Sequence, residues 1–98
     1  MTRTRLERHY LDLLKKYESN QNVLIYFVES GNSHILKVIF GRNEFWLTVE
    51  DRSIQVKYTY NYFSKPDKYN TITGFSIDNL AQKMKTEITR RIRVGGFA

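Results

Sequence analysis

Residues 54–63, Ile-Gln-Val-Lys-Tyr-Thr-Tyr-Asn-Tyr-Phe, alternate apolar and polar side chains almost without fault. Ile54, Val56, Tyr58, Tyr60 and Tyr62 fall on one side, and Gln55, Lys57, Thr59 and Asn61 on the other. A period of two belongs to a strand with one dry face and one wet face. This stretch therefore fixes the inside and outside of the sheet it joins.

Three more strand-like runs precede it: Val23–Glu29, His34–Phe40 and Phe45–Glu50. The connections are too short for crossovers, so the strands should form an antiparallel meander of hairpins. Two-residue loops at Gly31-Asn32, Arg42-Asn43 and Asp51-Arg52 place Val23, Ile25, Phe27, Leu36, Val38, Phe40, Phe45, Leu47, Val49, Ile54, Val56 and Tyr58 on one face. Every member is apolar, and a slip of one residue in any strand would break the set. The opposite face is mixed. Thr48, Glu50, Gln55, Lys57, Thr59 and Asn61 are polar, but Leu24, Tyr26, Val28, Ile35, Ile39 and Trp46 form a patch that needs a cover. Trp46 lies across from Lys57 in this register, with Lys37 one strand away through Ile39.

Helical periodicity brackets the strands. Leu6, Tyr10, Leu13, Leu14 and Tyr17 make one stripe over residues 4–18. Ser76 suits a helix N-cap, with Phe75 and Leu80 as a hydrophobic staple. Ile77, Leu80, Ala81, Met84, Ile88 and Ile92 form the stripe that follows. Lys83, Lys85, Arg90, Arg91 and Arg93 crowd its later turns, where positive charge complements the helix dipole. Gly95-Gly96 ends it. The predicted fold is α+β: a four-stranded antiparallel meander flanked by an N-terminal and a C-terminal helix, in the order α-β-β-β-β-α. It is a single domain over residues 1–98, with a long loop at 64–75 and a flexible tail at 93–98. If one helix packs on each face, the apolar patch is ordinary core. If both pack on the face of Ile25, Val38, Leu47 and Val56, the patch is left for a second copy or a foreign partner.

The chain carries no constellation for catalysis. Without cysteine it has no disulfide, thiolate metal site or thiol nucleophile. His9 and His34 lack a carboxylate at ligand spacing, the acids are scattered, and no glycine-rich phosphate loop is present. A non-enzyme without cofactor, metal or small-molecule substrate is expected. The charged N-terminal segment and the lack of a long apolar run argue for a soluble, cytoplasmic protein outside any membrane.

The net charge of +6 sits mainly in the two end segments. It favours anionic partners, nucleic acid first. In that reading Arg3, Arg5, Arg8, Lys83, Lys85, Arg90, Arg91 and Arg93 contact phosphate, helped by Lys65 and Lys68 in the long loop. Trp46 flanked by lysines on an open sheet face would also suit stacked single strands. The alternative is a protein surface built from Leu24, Tyr26, Val28, Ile35, Ile39, Trp46 and Lys57. Such a surface would serve a homodimer, or an inhibitor-like modulator of a larger host protein of the kind phages and mobile elements encode.

Overall fold

The computed structural model describes residues 2–50, 54–59, 69–74 and 76–94. Its elements are α1 (Thr2–Lys16), β1 (Leu24–Ser30), β2 (Ser33–Phe40), β3 (Asn43–Val49), β4 (Ile54–Thr59), β5 (Tyr69–Thr73) and α2 (Ile77–Arg93). The class is α+β, with an antiparallel sheet and a helix at each end of the chain. The sheet has five strands in the order β1-β2-β3-β4-β5, not the four expected. The additional strand comes from the segment read as loop: Tyr69–Thr73 pairs with β4, setting Ile72 opposite Val56 and Thr71 opposite Lys57. Residues 60–68, with Tyr60, Tyr62, Lys65 and Lys68, lie outside the described residues, as do Phe75 and residues 95–98 of the expected tail. Arg93 ends α2, and Val94 caps it by donating its N–H to the Arg90 carbonyl.

The hairpins follow glycine. Gly31 and Gly41 both have positive φ, +59° and +58°, at the first position of a two-residue loop. Hairpin loops of this length need that backbone because its twist matches the strands, and glycine adopts it without steric cost. Gly31-Asn32 is the loop expected. The next is Gly41-Arg42, not Arg42-Asn43, because Phe40 pairs with Asn43. This moves the β2–β3 register by two residues, so the faces are preserved but the cross-strand neighbours change.

Both helices lie on the same face of the sheet. α1 packs over β1 and β2, α2 packs over β3 and β4, and the helices touch each other. Between the layers Leu36, Val38, Phe45, Leu47, Val56, Leu6, Leu80, Met84 and Ile88 are fully buried, with Ile25, Phe27, Tyr10 and Tyr17 packed at the margin. Leu14 departs from the expected stripe and is exposed. One residue beyond Leu13 is a 100° turn of the helix, enough to carry it off the sheet. Ser76 caps α2 as expected, its Oγ accepting the Asn79 N–H at 3.0 Å.

Candidate binding face

With both helices on one side, no helix among the described residues covers the other side of the sheet. Strand alternation sends Leu24, Tyr26 and Val28 of β1, Ile35, Lys37 and Ile39 of β2, and Glu44, Trp46 and Thr48 of β3 to that open face. Leu24, Tyr26 and Val28 are exposed, and the β2 and β3 members are half-buried among themselves.

The observed registers organise this face into a row. Tyr26 pairs with Lys37, Lys37 with Trp46, Trp46 with Lys57, and Lys57 with Thr71. Aromatic and lysine therefore alternate across four adjacent strands. Lys37 places its Nζ 5.8 Å from the centre of the Trp46 ring, within cation–π range. Sequence reasoning had Ile39 opposite Trp46. The Gly41-Arg42 loop puts Lys37 there and so completes the row. Ile39 and Ile35 flank it, paired with Leu24 and Val28 respectively.

The basic residues of the helices are spread differently from what their spacing suggested. Arg91 is mostly buried on the covered side. Its Nε donates to Glu87 Oε1 at 3.1 Å, its Nη1 donates to Asn43 Oδ1 at 2.8 Å, and its guanidinium lies 5.3 Å from the centre of Phe45. Asn43, the one buried polar residue among those described, also donates through Nδ2 to the Phe40 carbonyl. Arg90 is exposed but forks onto the same Glu87. That hydrogen bond holds the Glu87 carboxyl below its usual range against its partial burial, with Arg91 adding to the effect. Lys85 is drawn inward to His9 and Asp12. Arg5, Arg8, Lys83 and Arg93 are exposed. Arg3 has no described side chain, and Lys65 and Lys68 are outside the described residues. A shallow groove of about 380 Å³ along α2 is lined by Gln82, Lys85, Thr86, Thr89, Arg90 and Arg93. Lys16 of α1 reaches Thr89 there, 3.2 Å from Nζ to Oγ1.

One polar cluster had no signal in the sequence. His9 of α1 meets Asp78 in the first turn of α2, with 2.7 Å between Nε2 and Oδ1, and Lys85 Nζ lies 2.9 Å from His9 Nδ1. The tautomer that satisfies both contacts carries its hydrogen on Nε2 and donates to Asp78. The His9 hydrogen bond lowers the Asp78 carboxyl from its usual range; desolvation opposes this, and nearby positive charge, Arg5 and Arg8 included, reinforces it. Both ring nitrogens are engaged, so the cluster ties the two helices together. His34 is likewise closer to a carboxylate than its sequence position implied. It pairs in register with Glu29, 4.0 Å from Nδ1 to Oε1, and stacks on Phe27.

Among the described residues, no group of three His, Asp or Glu side chains is placed to hold a metal, and no helix is long and apolar enough to cross a membrane. No protein-family model, curated protein or solved structure matches this chain.

Proposed function

We propose that this is a small non-catalytic binding protein that holds single-stranded nucleic acid across the open face of its sheet. The observation that carries the reading is the cross-strand row Tyr26–Lys37–Trp46–Lys57, joined to a net charge of +6. Tyr26 and Trp46 sit two strands apart, roughly 9.6 Å at the ordinary strand spacing. Bases stacked on such rings contribute about 1–3 kcal/mol each with little regard to sequence, while Lys37 between the rings meets the phosphates. The exposed Arg5, Arg8, Lys83 and Arg93 add to the attracting field. Arg91 is excluded from phosphate contact by its place between Phe45, Glu87 and Asn43.

Trp46 is the sole tryptophan, so its fluorescence reports on the site directly. Titration with single-stranded DNA and RNA oligonucleotides should quench it, with affinity falling steeply as salt is raised. A duplex of the same sequence should quench it less. Absence of quenching, together with absence of anisotropy change at low salt, would overturn the reading.

Ile35 and Ile39 beside the row favour a second reading, in which the face docks on a larger host protein as a modulator of the phage or mobile-element kind. A stoichiometric protein partner captured from host lysate and retained at high salt, with capture lost in Trp46→Ala and Ile35→Lys, would establish it in place of the first.

A further inference from the structure

Among the described residues, the exposed large apolar side chains are gathered on one flank. Besides Val94 at the end of α2, they are Leu11 and Leu14 of α1, at 56% and 37% exposure, and Leu24, Tyr26 and Val28 of β1, at 47%, 45% and 42%. β1 is an edge of the sheet: its one strand partner among the described residues is β2. α1 lies above it. The orientation of α1 is set by its contacts, since His9, Asp12 and Lys16 reach α2 while Leu6 and Leu13 are buried against the sheet. At 100° per residue, Leu11 and Leu14 then fall on the side away from α2, above the free edge of β1.

Among the described residues no further strand pairs with that edge. Natural edge strands are blunted by lysine, proline, a bulge or short length, because their unpaired N–H and C=O groups template further pairing. β1 is seven residues, Leu-Ile-Tyr-Phe-Val-Glu-Ser, with no cation and no proline. β5, at the opposite edge, is five residues, Tyr-Asn-Thr-Ile-Thr, with Thr71 and Thr73 exposed. The two ends of one sheet are therefore built for different neighbours.

We infer that a second copy of this chain pairs with β1, the two edges joining antiparallel about a two-fold axis perpendicular to the sheet. An isologous joint of this kind requires a self-complementary strand. Pairing centred on Tyr26 sets Leu24 against Val28 of the second copy on the open face, and Ile25 against Phe27 on the covered face. The same axis keeps both helix layers on one side, so Leu11 and Leu14 of the two α1 helices meet above the joint. Backbone hydrogen bonds, an apolar layer below and an apolar layer above close together. The sheet becomes ten strands, and the rows through Tyr26 from the two copies run on into one another. The inference does not depend on what the open face binds.

Light scattering behind size exclusion measures the outcome. The expected mass is twice the 11.7 kDa of the chain. Val28→Lys and Leu24→Lys place a cation on an already exposed position and should weaken dimerisation by roughly tenfold or more. Leu11→Lys should weaken it from the helix layer, and Thr73→Lys on β5 should leave it unchanged. Amide exchange gives a second readout: β1 amides should be protected in the wild type and exchange faster in Val28→Lys, while β3 amides stay protected in both. A wild-type chain that is monomeric at high micromolar concentration overturns the inference, as does a dimer that persists in all three flank variants with their circular dichroism unchanged. Oligonucleotide quenching of Trp46 by a monomeric wild type would sink the dimer and leave the proposed ligand standing.

Discussion

Phe45 and Trp46 follow one another in β3, and each ring lies under a cation: Arg91 at 5.3 Å from the Phe45 centre, Lys37 at 5.8 Å from that of Trp46. The pairs point to opposite faces of the sheet. Phe45 is fully buried between the strands and α2, and Arg91 above it is also held by Glu87 and Asn43. Trp46 is half-buried on the open face, and Lys37 is a single flexible ammonium on an aliphatic stem. The same contact thus serves packing on one side and presents a charged aromatic surface on the other. A basic residue cannot be assigned to a ligand from charge and spacing alone, because depth and its other partners decide.

The largest expected effect separates the two rings. Phe45→Ala removes a fully buried aromatic and should cost about 3–5 kcal/mol of stability, read from the urea midpoint. Trp46→Ala should cost less than half as much while abolishing oligonucleotide binding, followed in this variant by the anisotropy of a labelled oligonucleotide. Equal destabilisation by the two would show that the open face is core and would undo the contrast.

The cations come next. Arg91→Ala removes the hydrogen bonds that Arg91 donates to buried Asn43 and to Glu87 and should cost about 1–3 kcal/mol. Arg91→Lys should recover little, since an ammonium cannot fork between Glu87 and Asn43. Lys37→Ala should change stability by no more than about 0.5 kcal/mol. It should lower the slope of log affinity against log salt by about one phosphate contact. If Arg91→Ala weakened nucleic-acid binding with the fold intact, the ligand would sit on α2 after all.

Much of this contrast could be read from the chain, and the misses have physical causes. Alternation sorted β1, β2 and β3 into a covered and an open face because a one-residue slip exposes an apolar set. It could not place the β2–β3 loop, because Arg42-Asn43 and Gly41-Arg42 differ by two residues in register and give the same faces. The deciding signal was present: Gly31 opens the first loop with positive φ, and Gly41 opens the second in the same way. β5 was missed because an edge strand buries little. Ile72 is its one packed aliphatic residue, flanked by exposed threonines. The helix stripe took in Leu14 because apolar type outweighed angular position, and that exposed leucine now marks the flank assigned to a second copy. The meeting of His9 with Asp78, 69 residues apart, had no local signal at all.

The smallest effect is in acid, and it too divides the faces. Among the described residues, the two carboxyls held below their usual range lie on α2: Asp78 through its hydrogen bond from His9, and Glu87 through its hydrogen bonds from Arg90 and then Arg91. A carboxyl with a lower pKa folded than unfolded contributes stability that is fully present above the unfolded value and disappears as pH falls through the folded one. The urea midpoint should therefore hold near neutrality and fall once the pH drops below the ordinary carboxylate range of about 3.9–4.3. Asp78→Asn and Glu87→Gln should each flatten that decline, Glu87→Gln more because Glu87 is the less exposed and has two arginine partners. Lys37→Ala, on the open face, should leave the slope as it is. Unaltered acid slopes in both carboxyl variants would show that these helix contacts do not hold in solution, and the assignment of α2 to packing would lose its electrostatic support.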